Sequence, residues 1–409
     1  MTSNPTHSQP NGGHSAAVDL AALHLSAMLS ADHPMVGRGR DWANENIPAR
    51  LDRFDADVWK RAGRDGVFAF HMPRELGGQG LDPVESLLFF EGLGSAPCDM
   101  GMIFALATQV FATQTALVRG ATAEQRDRWL PLVLSGDVVT SFAMTEPDAG
   151  SDTAAIATIA EPTGEGTYRL NGQKAWISLA PIADAVLVFA TTDQSIGSWG
   201  VTAFMIETSR PGVTLSDPVQ KMGLSSCPFG NITFTNVELS DHDLIGTVGS
   251  GQRIFATAVE AERAFLYAAQ IGRMRSLIDM SVQRARGREQ GGKPIGAFQA
   301  VSHRIAGMQL QYESARLLLY KTAVLYSQGQ MLTMASALAK LHISEQLVNA
   351  TIDTMRTFGA YGYTVDAGIE VEIRDALGGL AYSGTSDIQK NIVASLLGVG
   401  RPLRKQKQK

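Results

Sequence analysis

The feature that most constrains this chain is a change of hydrophobic period in its middle. Between residues 139 and 246 apolar residues alternate in short β-branched runs, "TYRLNGQKAWISL", "DAVLVFATT", "GVTAFMIET" and "GNITFTNVEL", separated by Gly, Pro and Asp. A period of two puts successive side chains on opposite faces, which predicts the strands of a small β-barrel or sandwich. On either side the period becomes helical. "VESLLFFEGLG" and "FATQTALVRG" precede the β region, and "RAFLYAAQIGRMRSLIDMSVQRARG", "FQAVSHRIAGMQLQYESARLLLYKTAVLYSQG" and "MASALAKLHISEQLVNATIDTMRTFG" follow it. The expected architecture is α+β: a helical domain over 19–138, a β domain over 139–246 and a helical bundle over 247–400. A polar, Pro/Gly-rich stretch at 1–18 predicts a disordered tail, and 401–409 a solvated basic tail.

At 409 residues, 44% hydrophobic and 18% charged, the chain can bury cores for about two or three domain-sized units. The net charge of -5 gives no overall attraction to phosphate backbones or anionic lipid, so neither nucleic acid nor a membrane is expected as a partner. Cys98 and Cys227 lie far apart with no C-x-x-C spacing, which implies neither a metal site nor a disulfide framework. The N-terminus lacks the apolar core of a signal peptide and no run of about 18 apolar residues follows, so a cytoplasmic protein is expected.

Two segments carry chemistry. "SFAMTEPDAGSD", Ser141 to Asp152, places hydroxyls and small residues at the entry to the β domain, where backbone amides can bond the edge of a flat heterocycle and approach a phosphate. In "NGQKAWISL", Trp176 can stack on a ring and Ser178 shares its strand face. Alone, the first reads equally well as a turn and the second as core.

Together with "REQGGKPIGAFQAV", "RTFGAYGY" and "YSGTSDIQK", in this order and approximate spacing, these segments resemble the acyl-CoA dehydrogenase family over roughly residues 20 to 400. The resemblance implies an N-terminal helical domain, a central β domain and a C-terminal four-helix bundle, with FAD bound across a subunit interface of a homotetramer or homodimer. It places Phe142, Met144 and Thr145 along the isoalloxazine, Gly150 and Ser151 by the pyrophosphate, and Trp176 with Ser178 at the flavin face. Arg288 and Gln299 would reach a neighbouring subunit's FAD, and Thr385 and Gln389 would add contacts. Arg263, Tyr382, Ser383, Gly384 and again Ser151 would meet the substrate. Gly291, Arg356, Ala360 and Leu179 depart from the family pattern.

Dehydrogenation of an acyl thioester needs a base for the α proton, ordinarily a desolvated carboxylate. In most of the family it immediately precedes the Gly-Thr pair, and here that position is Ser383, which cannot act as a base without an activating partner. Some branches carry it on a bundle helix directly before an Arg. Glu262 precedes Arg263 in "FATAVEAERAFLYAAQIG" and is the expected base, the alternative being a solvated charged pair. Glu260, two residues away, faces elsewhere.

A base on the helix leaves room for a branched or cyclic acyl group. "SSCPFG", within Lys221 to Phe234, resembles enzymes acting on groups tethered to carrier proteins, such as prolyl-carrier-protein dehydrogenases of specialised metabolism. CoA and carrier-protein thioesters both remain open, as do an electron-transferring flavoprotein and oxygen as electron acceptors. The competing readings are a flavin-dependent monooxygenase or oxidase, redox-neutral α-carbanion chemistry, and a catalytically dead scaffold. Glu262 argues against oxygenation, which needs no carboxylate there.

Overall fold

The computed structural model describes Ser30 and Asp32 through Gly400. The expected tails at 1–18 and 401–409, and residues 19–29 of the first helical domain, lie outside the described residues.

The first helical unit comprises α1 (Pro34–Asn46), α2 (Ala56–Arg64), α3 (Pro83–Ser95), α4 (Met100–Thr108), α5 (Gln114–Gly120) and α6 (Ala123–Ser135). Reciprocal capping boxes start two of them, Asp82 with Glu85 at α3 and Thr122 with Gln125 at α6, each satisfying backbone donors that a helix start leaves open. A π-helical turn, Gln109–Thr113, joins α4 to α5. The joined stretch Met100–Gly120 is long and apolar enough to span a membrane by length and composition, which corrects the expectation that no such run occurs. It is a core helix: 83% of its apolar window is buried inside the protein. Gln109 is fully buried in it and binds across the domain boundary. Its Nε2 donates to the Val138 carbonyl at 2.7 Å and its Oε1 accepts from the Thr140 amide at 3.0 Å.

The alternating region forms β1 (Thr140–Ala143), β2 (Ile159–Gly164), β3 (Thr167–Ser178), β4 (Ala185–Thr191), β5 (Val201–Glu207), β6 (Val213–Leu215), β7 (Phe229–Ser240) and β8 (Leu244–Ile245). Among the described residues these make an eight-stranded sheet in the order β6-β7-β3-β2-β4-β5-β8, with β1 parallel to β4. β4 is buried along its whole length, which explains the unbroken apolar run "AVLVFA" inside an otherwise alternating region.

The C-terminal region holds α7 (Gly251–Phe265), α8 (Ala268–Gly287), α9 (Gln299–Ser327), α10 (Thr333–Phe358), α11 (Ile369–Gly378) and α12 (Ser386–Leu396). Helix α3 crosses α8 so closely that a methyl group on Gly94 would sit 1.8 Å from the Ala269 carbonyl oxygen, and one on Gly272 would sit 1.9 Å from that of Glu91. Glycine is therefore required on both helices. Beside this crossing the buried Glu91 carboxylate accepts from Arg316 Nε at 2.9 Å and from the Tyr312 hydroxyl at 3.2 Å, which ties α3 to α9 with the charge paired. The two helical regions thus share one core, and the active-site turn lies along it.

Candidate active site

The site grows from two chain segments 121 residues apart: the last turn of α7 and the turn at 382–385 before α12. Ser383 takes φ +56° and Gly384 φ +87°, a pair of left-handed residues that reverses the chain sharply. A side chain at 384 would press on Gln389 Nε2 at 2.8 Å and on an Arg263 guanidinium nitrogen at 3.1 Å, so glycine is needed for space as well as for φ. Arg263 Nε donates to the Ser383 carbonyl at 2.8 Å. The fully buried Gln389 donates from Nε2 to the carbonyls of Gly384 at 2.9 Å and Ser383 at 3.3 Å. Thr385 caps α12, accepting from the Ile388 amide.

This bracing presents the Ser383 hydroxyl to the Glu262 carboxylate, to which it donates a hydrogen bond. Burial pushes the Glu262 carboxyl above its ordinary range, and the hydrogen bond from Ser383 and the nearby Arg263 charge restrain that rise. Glu262 and Arg263 are therefore not a solvated surface pair. Glu260 points away and accepts from the Thr333 hydroxyl at 2.6 Å.

Next to the turn, Tyr382 lines a small cleft. Leu266 and Gln270, one and two turns beyond Glu262 along the same helical run, line it with Met100, Ile103 and Phe104. The Tyr382 ring packs on Phe104 and Tyr267 at centroid distances of 4.6 and 5.7 Å. Leu224 forms another wall, its amide donating to Asp375 Oδ1 at 2.6 Å. Cys227, close by in sequence, is 2% exposed and its thiol is pushed up to about 12 by burial, so it is a packing residue and not a nucleophile.

The second half of the site is the 144–151 loop with the end of β3. Lys174 is fully buried, donating to Glu146 Oε1 at 2.7 Å and to the Met144 carbonyl at 2.9 Å, while Glu146 also accepts from the amides of Ala157 and Thr158. Burial lowers the Lys174 ammonium to about 8. Burial pushes the Glu146 carboxyl up, but the Lys174 charge together with the hydrogen bonds from Lys174, Thr158 and Ala157 outweighs it and holds the group below its ordinary value. The ion pair fixes the loop that begins at Met144 and Thr145. Gly150 and Ser151 stand exposed at its far end, and a methyl group added to Gly150 would meet only Thr145, at 4.0 Å. Phe142 turns its ring into the core against Phe189 and Phe255, so its backbone is what it can offer a cofactor. Trp176 is 50% exposed with φ +58°, an uncommon conformation for a bulky residue that turns the indole outward on this side of the sheet. Ser178 accepts from Ser141 through its carbonyl, and its side chain hydrogen-bonds the Cys227 thiol.

Arg288 ends α8 and Gln299 opens α9, both exposed at the molecular surface. Gly291 sits beside Phe298, 3.7 Å from the position a methyl group would take. Arg356 binds Asp353 at 3.2 Å on the surface. Leu179 is buried with φ +63°, a backbone that suits an Asn better than a Leu. Sequence reading missed Tyr267, Gln270, Lys340 and Asp375. Lys340 is fully buried against the Leu380 carbonyl at 3.4 Å, its ammonium lowered to about 8 by burial and the Arg263 charge. Gln270 left one usable signal, a lone amide in the apolar run "AFLYAAQIG".

A partly buried carboxylate braced by a turn next to an apolar cleft, on helices joined to a β domain with an exposed Trp, suits proton abstraction from carbon beside a flat cofactor. Models of the acyl-CoA dehydrogenase N-terminal, middle and C-terminal domains match residues 37–137, 141–237 and 249–398. The chain is 40% identical over 341 residues, 83% of its length and 90% of the relative's, to an L-prolyl-[peptidyl-carrier protein] dehydrogenase of Pseudomonas fluorescens. Among solved structures it is similar to the prolyl acyl carrier protein oxidase AnaB (TM-score 0.83, 35% identity, covering 94% of this chain and 99% of that one). It is also similar to PigA with FAD and proline (TM-score 0.87, 33% identity, covering 90% and 97%).

The chain belongs to the acyl-CoA dehydrogenase family. It is a flavin oxidoreductase acting on CH–CH bonds, with FAD as its cofactor. The residues present fit that group: a rigid loop held by a buried ion pair, open space at Gly150 and an exposed indole form a surface that can receive a flat ring and its phosphates.

Proposed function

We propose that this chain dehydrogenates a cyclic aminoacyl thioester, a prolyl group carried on a carrier protein, with Glu262 taking the α proton. The observation that carries the reading is the Ser383 hydroxyl bonded to the Glu262 carboxylate, on the turn whose preceding residue, Tyr382, lines the cleft. A thioester α proton is weakly acidic, and a carboxylate whose desolvation raises its pKa is a stronger base than one in water. The hydrogen bond from Ser383 and the Arg263 charge restrain that rise. Arg263 and Gln389 keep the turn in place, and Tyr382 and Leu266 shield the α carbon from water.

FAD, held by Met144, Thr145, Gly150, Ser151, Trp176 and Ser178 with further contacts from Thr385 and Gln389, would supply the two-electron acceptor for the β hydride. The α proton passes to Glu262 and a C=C bond forms between the α and β carbons. Arg288 suits the pyrophosphate of a neighbouring subunit's FAD, because a guanidinium binds phosphate bidentately, and Gln299 is likewise exposed. That reading needs a homotetramer or at least a homodimer. Electrons leave to an electron-transferring flavoprotein or to oxygen.

The test is an anaerobic titration of the yellow protein with prolyl-carrier protein, prolyl-CoA and linear acyl-CoA thioesters, following flavin absorbance. Bleaching by the prolyl-carrier protein is the expected result. Bleaching only by linear acyl-CoA thioesters overturns the substrate assignment, and no bleaching with firmly bound flavin favours redox-neutral chemistry at Glu262.

A further inference from the structure

One wall of the acyl cleft holds a polar group that proton removal leaves unused. Gln270, on α8, is 5% exposed and lines the cleft beside Tyr382. Its Nε2 donates to the Tyr382 hydroxyl, while its Oε1 is buried with no hydrogen-bond partner. The residues around it in the cleft, Met100, Ile103, Phe104 and Leu266, have no donor to give. A buried amide oxygen left unpaired is unfavourable, and a ligand that brings a donor removes that cost.

The same cleft carries two carboxylates. Glu372 faces Arg273 at 3.5 Å, and Asp375 accepts from the Leu224 amide. The Arg273 charge offsets Glu372, and the remaining carboxyl, Asp375, favours a donor over a second acceptor on this wall. An apolar cleft with one unsatisfied acceptor and an acidic wall is poorly suited to a plain hydrocarbon chain.

We propose that Gln270 is a specificity-determining residue whose Oε1 accepts a hydrogen bond from a donor on the acyl group, which in a cyclic aminoacyl group is the ring N–H. The proposal deepens the carrier-bound prolyl reading and rests on it for the identity of the donor. Gln270 takes no part in proton or hydride movement. Its deletion should change discrimination between acyl groups and not the chemistry common to them.

Three thioesters on one carrier protein separate the possibilities: prolyl, with a donor; cyclopentanecarbonyl, without one; and tetrahydrofuran-2-carbonyl, with only an acceptor. For the holoenzyme and for Gln270→Leu, binding is read as the shift of the flavin band on titration, and turnover as anaerobic bleaching. The wild type should prefer prolyl over both analogues. Gln270→Leu should reduce that preference by roughly tenfold to a hundredfold, the usual cost of an unpaired buried group, while cyclopentanecarbonyl binds as well as before or better. Gln270→Glu, which keeps an acceptor, should retain the prolyl preference. Equal loss for all three thioesters in Gln270→Leu, an unchanged preference, or a wild-type preference for tetrahydrofuran-2-carbonyl would overturn the proposal. Selective binding of the prolyl group without bleaching sustains the role of Gln270 and removes the proposed reaction. Bleaching by all three at the same rate and affinity sustains dehydrogenation and removes the role of Gln270.

Discussion

The Ser383 hydroxyl donates a hydrogen bond to the carboxylate of Glu262, across 121 residues of chain. The proposed proton acceptor thus stands on α7 and the turn before α12 supplies the group that tunes it. Replacing Glu262 with Gln keeps the size of the side chain and removes its basicity. Glu262→Gln should retain FAD and lose substrate-dependent bleaching by on the order of 10³-fold, measured by anaerobic stopped flow. A near-normal bleaching rate would remove Glu262 from the mechanism.

Ser383→Ala tests the tuning separately. The hydrogen bond from Ser383 lowers the Glu262 pKa, which burial has raised, so its loss should raise that pKa further. Activity requires the ionised carboxylate and rises with pH through its pKa. The ascending limb of the pH profile of kcat/KM should therefore move to higher pH in Ser383→Ala, and a shift to lower pH would contradict the pairing.

The Lys174–Glu146 pair should matter more to flavin retention than its distance in sequence from any reacting atom suggests. Lys174→Met leaves the 5%-exposed Glu146 without its counter-charge. Breaking a buried pair from one side typically costs about 3–5 kcal/mol. The variant should lose that much stability in urea denaturation and purify with less flavin, because the loop from Met144 to Ser151 loses its brace.

Trp176 offers a way to separate backbone strain from ring stacking. At φ +58° an Ala suffers the same left-handed penalty as Trp, whereas Gly does not. Both Trp176→Ala and Trp176→Gly should release FAD more readily on dilution. Trp176→Gly should nevertheless be more stable than Trp176→Ala by ~1 kcal/mol, as read by thermal unfolding of the apoproteins.

His71 predicts an acid sensitivity. It lies between Phe111 and Phe265, with Nδ1 unpartnered, and burial lowers its pKa from 6.5 to about 4. Because the unfolded chain binds this proton more readily, the contribution of neutral His71 is complete above pH 6.5 and is lost as pH falls toward 4. The loss is at most ~3 kcal/mol. Asp375, whose carboxyl burial raises from 3.8 to about 6, acts in the opposite sense over an overlapping window. The comparison of wild type with His71→Phe isolates the histidine: the stability difference between them should shift in favour of the variant as pH falls from 6.5 to 4.

The three-part architecture was legible because hydrophobic period is a local property of the chain. Alternation in "TYRLNGQKAWISL" and helical spacing in "RAFLYAAQIGRMRSLIDM" each follow from backbone geometry acting over a few residues. The motif residues Thr145, Gly150, Trp176 and Ser383 were not legible in this way: local composition left them open as turn or core, and the ordered set of motifs resembling the acyl-CoA dehydrogenase family singled them out. The burial of Met100–Gly120 could not be read in this way: its hydropathy is that of a membrane helix, and only the helices packed around it make it a core element.

The sequence by itself determined the order of helical and β regions, the absence of a carboxylate at 383 and the presence of one at 262. Tertiary structure decided that Glu262 and Ser383 meet, that Lys174 and Glu146 form one buried brace, and that Gln270, lining a largely apolar cleft, keeps a buried oxygen unpaired. Periodicity and turn chemistry act through neighbours in the chain. Burial and charge pairing depend on which helices cross, and here that depends on a close approach of α3 and α8 that only glycines at 94 and 272 permit.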